Sequence, residues 1–537
     1  MNKSRLLLVA LLIGAFTLPL LSRNGRAFDN QAHLALSQRA TNISSLDNIL
    51  KTVLRFEFPG GINQPLEGTK IVTRYIQDGA LLEDSMGLEL RVKNHFHNPK
   101  LSWDQAGLWP PGFTGPIGYS SIVWSQLQNQ GSLGGRSWHE ARDAYFTALT
   151  STSKSERNKW YATTFRLLGH AIHHVQDAAV PSHTRNDSHF APVEIGPDKD
   201  PFHSFAERPE VLALINNPNL LPASSPDPSF LDNQPSADSR YSVPIARLFD
   251  TSAGDIGASA LGNGSGIGLA EYSNANFFSD NTIFPETFPY PGLSNLQITA
   301  PEIDPQTGKK KTYLIFKPGF GDGTNYRLAQ ASSLRNITGT NVPTDIGLDY
   351  NVFTDYAYKL LPRAIGYSAG LIDYFFRGKI DSTLWPAGYL WVPWAQRPSS
   401  IRVENVVVKA GNEQGGQGTM QLVLVYHHRY AGTPSDGPKF VTSHPVTVNA
   451  GSSQTVVFSF DALPFPATFP PETGSHGYVY DGLLVYKGHL GQESAAVVAD
   501  SQCINPSDGS RYNRFYIFEH ASFLDGTPIE SAYISEC

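Results

Sequence analysis

Cysteine is nearly absent from this chain: Cys503 and Cys537 are the only two in 537 residues. A multi-disulfide framework is excluded. Neither thiol lies near the histidine-rich stretch described below, which sets thiolate metal ligation aside there. In an exported protein the pair is expected to form one disulfide, closing a loop of about 34 residues worth roughly 3–4 kcal/mol. Two free thiols are the alternative. Long apolar runs are scarce as well. The single candidate is Leu6 to Leu21, preceded by Lys3 and Arg5, interrupted by Thr17 and Pro19, and followed by Gly25 and Ala27. That pattern reads as a secretory signal peptide over residues 1–27, cut before Phe28, and it implies a secreted or periplasmic protein. An uncleaved anchor is the alternative. Basic residues are outnumbered, 41 Lys and Arg against 48 Asp and Glu. Loss of residues 1–27 removes four basic residues and no acid, and moves the formal charge from −7 to −11. An acidic chain is a poor general binder of polyanions, so nucleic acid is the less favoured partner.

The texture of the sequence changes near Pro386 to Ser400. Helical patterns broken by long loops precede it. Alternating apolar runs follow it, SIRVENVVVKA, TMQLVLVYHHRY, QTVVFSF, GYVYDGLLVY and NRFYIFEH, separated by glycine-rich connections. The expected architecture is a mainly α catalytic domain over residues 28–385, with a loop-rich insert at about 208–350, and then an all-β antiparallel sandwich over 396–537. Asn216 to Ser239 and much of Tyr290 to Thr344 read as exposed loops.

Histidine is concentrated in LGHAIHHVQDAAVPSH, Leu168 to His183, which holds four of the chain's sixteen. Apolar residues at helical spacing predict a helix ending near Pro181. His173 and Asp177, four apart, share one helix face and can hold a divalent metal together. Further donors lie at His33, at the acidic turn Glu83–Asp84, at His95 and His97 in NHFHNP, and at His203 and Glu207 in HSFAE. A lone His–Asp pair on a helix is more often a surface hydrogen bond or packed core. The combination H-x3-D-x5-H, H-x3-E, an acidic turn and N-H-F instead supplies seven oxygen or nitrogen donors without a thiolate, a set suited to several zinc ions. His170 and His174 are expected to fill neighbouring helix faces or to support ligands by hydrogen bonds.

These motifs resemble the zinc-dependent phospholipase C and fungal zinc nuclease superfamily. HHVQDAAVPSH is similar to its H-x3-D-x5-H with proline before the last histidine, NHFHNP to its H-F-x-x-P, and HSFAE to its H-x3-E. LLPRAIGYSAGLIDYFFRG resembles a closing helix of bacterial relatives. The resemblance implies a helical fold and a three-zinc site. Asp84, His95, His173 and Asp177 correspond to ligands of a first ion, with Glu83 as the alternative to Asp84. His183, His203 and Glu207 correspond to those of a second. A third would be held by the backbone of the mature first residue, Phe28, together with His33 and the bridging Asp177; the family usually begins with Trp, but the ligating atoms are backbone atoms. Asp84 corresponds to the residue that orients or deprotonates the attacking water.

The implied activity is hydrolysis of a phosphodiester, because clustered zinc ions acidify water and stabilise charge on phosphoryl oxygens. A phospholipid substrate is favoured by the acidic chain, by Glu207 and by the appended sandwich, which implies peripheral membrane contact through the C-terminal domain. A single-strand nuclease or nucleotidase is the alternative on the same metal core, with Tyr272, Phe277 and Phe278 as candidate stacking faces, although that stretch reads better as a packed helix. A non-catalytic exported zinc-containing binding protein is the third reading; it is opposed by the His and carboxylate donor set, which is that of open catalytic sites.

Overall fold

The computed structural model describes residues 30–84, 91–110, 113–130, 134–188, 200–232, 234–254, 262, 266–322, 325–331, 346–384, 400–429, 438–461, 477–501 and 514–518. Phe28, the expected signal peptide, Cys503 and Cys537 lie outside them.

The helical part contains α1 (Asn30–Ile43), α2 (Leu46–Thr52), α3 (Val72–Glu83), α4 (Ser121–Gln126), α5 (Trp138–Thr150), α6 (Lys154–Asp177), α7 (Pro181–Thr184), α8 (Pro201–Ala206), α9 (Pro209–Ile215), α10 (Leu269–Asn276) and α11 (Tyr350–Phe375). Among the described residues no helix is long and apolar enough to cross a membrane. The Ser153 hydroxyl accepts from the Glu156 N–H and caps the start of α6. Its apolar residues Tyr161, Phe165, Leu168, Ile172 and Val175 then join one core with Leu36 and Leu50 of α1 and α2 and with Leu361 and Ile365 of α11.

Two glycines set the closest approach in this core. A methyl group on Gly79 of α3 would overlap the Arg166 carbonyl of α6, and one on Gly169 would overlap the Ile76 carbonyl of α3. The two backbones therefore touch where the helices cross. Gly169→Ala is expected to destabilise the protein by about 3 kcal/mol, the upper part of the range for overpacking a tight contact. The same change moves the ends of both helices apart. Urea unfolding and metal titration of that variant should show both losses together.

Short strands β1 (Pro65–Glu67) and β2 (Lys70–Ile71) form a hairpin before α3. The stretch expected to be loop-rich holds a small antiparallel sheet of β3 (Leu296–Ile298), β4 (Glu302–Ile303), β5 (Lys310–Phe316), β6 (Ala329–Ala331) and β7 (Ile346–Gly347). Tyr313, Leu314, Phe316, Tyr326 and Leu328 of this region are buried in the main core, so part of it is packed, while the connections at 305–310 and 317–320 are exposed as expected. The stretch 216–239 is the exposed loop expected, pinned at Leu221, Phe230 and Leu231, which are buried in the main core. Isolated apolar residues among Pro, Gly and Asp give no periodic signal, which is why the small sheet read as loop.

The C-terminal part is antiparallel: β8 (Lys379–Leu384), β9 (Ser400–Ala410), β10 (Glu413–Arg429), β11 (Lys439–Thr442), β12 (Val446–Asn449), β13 (Gln454–Ser459), β14 (Gly477–Leu490), β15 (Glu493–Asp500) and β16 (Arg514–Phe518). Strand β8 falls inside the stretch expected to belong to the helical domain, yet it pairs with β9, and Ile380 is buried in the sheet core. The sheet part thus begins at Lys379. One layer is β8, β9 and β13. The first residues of β10 pair with β9; the strand then continues into a second layer with β11, β12, β14, β15 and β16. Asn405, at φ 54°, is a bulge in β9. The extra residue lets Val403 and Val406, three apart, both point inward.

The second layer is covered on both faces. Met420, Leu422 and Leu424 face the first layer, whereas Val423 and Val425 pack into the helical core with Leu483, Val485 and Val497. This explains the unbroken apolar runs of β10 and β14, where a sheet with one wet face would alternate. Glu493 of β15 ties the two parts together. It accepts from Arg142 at 2.7 and 2.8 Å, from Trp138 at 2.7 Å and from Arg377 at 2.8 Å, and all four residues are buried or nearly so.

Candidate metal centre

Helix α6 delivers four polar residues to the interior at helical spacing: His170, His173, His174 and Asp177. All are buried. The helix stops because Val180 precedes Pro181, and a residue before proline is driven out of the α region; its φ, ψ are −102°, 117°. The chain turns there and Pro181 starts α7. This brings His183 back until its Nδ1 lies 3.7 Å from Asp177 Oδ2. The Val-Pro-Ser-His ending is thus a hinge that returns a second imidazole to the aspartate.

The α3–α6 crossing sets the opposite wall. Helix α3 ends at Glu83 with Asp84 as its C-cap. The Ala80 carbonyl, one turn earlier, accepts the Nδ1–H of His173 at 2.7 Å. That bond leaves the His173 Nε2 lone pair pointing inward, 3.0 Å from Asp177 Oδ2 and 3.6 Å from Asp84 Oδ1. His33 of α1 is held in the same way. Its Nδ1–H donates to Gln176 Oε1 at 2.6 Å, and its Nε2 lies 3.5 Å from Asp177 Oδ1 and 3.7 Å from Asp84 Oδ2. Gln176 is in turn oriented by its bond to Ser37 Oγ at 3.0 Å. His95 completes the group, with Nδ1 3.1 Å from Asp177 Oδ2 and 3.4 Å from Asp84 Oδ1.

Asp177 is the centre of the arrangement. Imidazoles from α1, the NHFHNP segment, α6 and α7 converge on it, yet among the described residues neither of its oxygens accepts a hydrogen bond. Burial pushes its carboxyl well above the usual carboxylate range. Burial also lowers two of these imidazoles: His173 falls to about 3, and His95 lies well below its ordinary value. Imidazole lone pairs converging on the Asp177 oxygens, which accept no hydrogen bond among the described residues, suit a bound cation, because a buried charge without a partner costs several kcal/mol.

The spacing fits one. Ligands about 2.0–2.1 Å from a tetrahedral zinc stand about 3.3 Å from one another. The separations among His33, Asp84, His95, His173 and Asp177 run from 3.0 to 3.7 Å. The triads His33–Asp84–His173 and His95–His173–Asp177 each converge closely enough to hold an ion.

The remaining expected ligands are near but looser. The His183 ring stacks on Phe96 with centroids 4.5 Å apart, and its Nδ1 is 3.2 Å from the His95 carbonyl. The His203 ring meets it edge-on at 5.3 Å. Glu207 follows α8, and its Oε1 accepts the Ala32 N–H at 2.7 Å, an open donor in the first turn of α1. Among the described residues, His183, His203 and Glu207 do not draw into a triad as tight as the other two. His97 is turned away: its Nε2 lies 3.1 Å from Asp250 Oδ2, which also accepts from Trp103.

Glu83, the alternative to Asp84, has other partners. It receives Arg91 Nη2 at 2.9 Å, Trp124 Nε1 at 3.1 Å and His170 Nδ1 at 2.7 Å, and lies 3.3 Å from His174 Nε2. Burial alone would raise it, but the bonds from His170 and His174 outweigh this and hold the carboxyl well below its ordinary range. Of this outer layer, sequence reading gave His170 and His174 a supporting role, but it did not find Arg91, Trp124, Gln176, the Ala80 carbonyl or the glycine crossing. The one local signal was a pair of glycines, Gly79 and Gly169, inside otherwise helical patterns. The aromatic residues considered as base-stacking faces, Tyr272, Phe277 and Phe278, are no more than 1% exposed. They belong to the core.

No family model matches the sequence, and no curated protein matches it. Two solved structures align with most of the chain. Clostridium perfringens alpha-toxin, isolated from avian strain SWCP, is 14% identical over 92% of this chain and 99% of its own, with a TM-score of 0.25. The alpha toxin from Clostridium absonum is 10% identical over 89% of this chain and 100% of its own, with a TM-score of 0.26. Likenesses this loose carry no weight for chemistry, which the side-chain geometry has to supply.

Proposed function

We propose that the protein is an exported zinc-dependent phosphodiester hydrolase of the phospholipase C type, cut before Phe28 and holding three zinc ions. The observation that carries this reading is the undonated, fully buried Asp177 carboxylate at the meeting point of four imidazoles. Asp177, Asp84, His33, His95 and His173 are the inner ligands. His183, His203 and Glu207 serve a second ion, and the Phe28 backbone joins His33 and Asp177 at a third. When bound, zinc supplies a Lewis acid for phosphoryl oxygens and an acidified water. Asp84, whose oxygens lie 3.4–3.7 Å from His33, His95 and His173, would orient the attacking water or take its proton. Gln176 and the Ala80 carbonyl keep His33 and His173 in the tautomers that ligate. A phospholipid rather than a nucleic acid is favoured because the chain is acidic and the candidate stacking faces Tyr272, Phe277 and Phe278 are buried. Membrane contact falls to the C-terminal sheet domain.

The test is chelation followed by metal add-back. Turnover of a phosphorylcholine-releasing substrate should vanish with chelator and return with zinc, while a single-stranded oligonucleotide stays intact. Zinc at 100 times its Kd should stabilise the protein by about 3 kcal/mol. Oligonucleotide cleavage without phosphorylcholine release would transfer the reading to the nuclease; no zinc-dependent turnover on either would leave the binding protein. Metal analysis with N-terminal sequencing checks the third ion: three zinc ions should accompany a start at Phe28.

A further inference from the structure

Charge is missing from one long stretch of the chain. From Gln105 to Gly135 the sequence holds no Lys, Arg, Asp or Glu, and Asp104 just before it is paired with Arg240. Residues 107–109 and 117–119 of this stretch lie side by side. The Ile117 N–H donates to the Leu108 carbonyl at 2.8 Å, and a methyl group on Gly107 would overlap the Gly118 carbonyl. Both limbs are pinned by residues that flank the metal centre. Asn94, next to His95, accepts the Tyr119 N–H at 2.9 Å. Asn186, three residues after His183, accepts the Trp109 N–H and donates to the Trp109 carbonyl, both at 2.7 Å. Leu108 and Ile117 pack with Val92 and Phe96, and Phe96 stacks on the His183 ring.

The same stretch holds aromatic rings in water. Phe113 is 55% exposed, Tyr119 is 51% exposed and Trp109 is partly exposed. None of the three is loosely tethered. The Trp109 Nε1–H donates to the Phe113 carbonyl at 2.8 Å, and the Tyr119 ring stacks on the buried Trp124 at 5.9 Å. Fixed, exposed apolar rings carry a standing cost that a partner removes, and rigid rings lose little freedom on docking. Trp and Tyr suit a bilayer interface, where one end of the ring is wet and the other apolar. An acidic chain is repelled by anionic headgroups, so an uncharged aromatic surface is the kind that can seat it on lipid. A protein partner is met through a polar rim around an apolar centre, and this uncharged stretch supplies no ionic part of one. We propose that Trp109, Phe113 and Tyr119 form a second membrane contact, on the helical part, that seats the protein on the zwitterionic surface of a phospholipid bilayer beside the metal centre. The choice of a bilayer rests on the phospholipase reading above.

Flotation of the full chain with phosphatidylcholine vesicles tests it. The wild type should bind, and raised salt should leave its affinity unchanged, because no charge is involved. The double variant Phe113→Ser with Tyr119→Ser should bind about 10-fold more weakly or worse, since two half-exposed rings no longer enter an apolar phase. Its unfolding midpoint in urea should match the wild type, and Phe113→Trp should bind as well as the wild type. Four results would overturn the contact: no binding by the wild type, equal binding by the serine pair, a loss in Phe113→Trp as large as in that pair, or binding that requires anionic lipid and fades with salt. A wild-type dimer that the serine pair dissociates would make the segment a contact between copies of the chain and would also refute it. A water-soluble phosphorylcholine ester separates this inference from the phospholipase reading. The serine pair should hydrolyse the ester at the wild-type rate while losing activity on vesicles. Hydrolysis of the ester by a wild type that binds no vesicles would remove the contact and keep the hydrolase. Ring-dependent vesicle binding without hydrolysis of either substrate would keep the contact and remove the phospholipase.

Discussion

Asp177→Asn is expected to lower turnover by about 1,000-fold, comparable to removing a main electrostatic stabiliser from a catalytic site, while making the metal-free protein more stable. The two effects have one cause. Asp177 is fully buried and, among the described residues, receives no hydrogen bond on either oxygen. Without a cation its charge is a cost of several kcal/mol, part of which is avoided by keeping a proton. The amide has the same shape and no charge, so the metal-free variant should gain about 1–3 kcal/mol in urea unfolding. Zinc should then add little to its stability. A variant that lost activity through misfolding would show the opposite, a lower unfolding midpoint without metal. Unchanged turnover would remove Asp177 from the centre of the site.

Glu493→Gln is expected to cost about 3–5 kcal/mol, the usual result of leaving buried guanidinium groups without their counter-ion. Arg142 and Arg377 converge on this one carboxylate from α5 and from the end of α11, and Glu413 neutralises only Arg377, at 2.6 Å. The variant should loosen the contact between the helical core and the second sheet layer, visible as faster hydrogen exchange in β10 and β15. The pH dependence has a definite sign. Burial raises the Glu493 carboxyl, but Arg142 and Arg377 outweigh it and bring it down to about 2. An unfolded glutamate titrates near 4.3. The pair's stabilisation, about 3 kcal/mol, is therefore complete above about pH 4.3 and is lost as pH falls towards 2. Wild-type stability should drop across that window, and Glu493→Gln should lack this component. Parallel acid curves for the two proteins would show that the carboxylate carries no such energy.

Much of the site could be read along the chain because its donors come in short local motifs. His173 and Asp177 share a face by helical spacing alone, and Pro181 marks the turn that returns His183. The choice between Glu83 and Asp84 could not be made that way. Adjacent residues at a helix end differ in direction by about 100°, and which one meets the histidines depends on how α3 lies on α6. That crossing is set by contact between Gly79 and Gly169, ninety positions apart. The packed strands at Tyr313 and Ala329 were missed for a similar reason. Their apolar residues are too few to make a period and are buried only because other elements cover them.

Donor types, helix and strand periods, and the acidic balance belong to the sequence alone, because spacing and side-chain chemistry are local properties. Which lone pair faces inward, that Asp177 accepts no hydrogen bond among the described residues, that Arg91 matches Glu83, and that the second sheet layer is covered on both faces were decided only in the tertiary structure. Each depends on burial and on distances of 3–4 Å between segments far apart in the chain, and no local pattern encodes those.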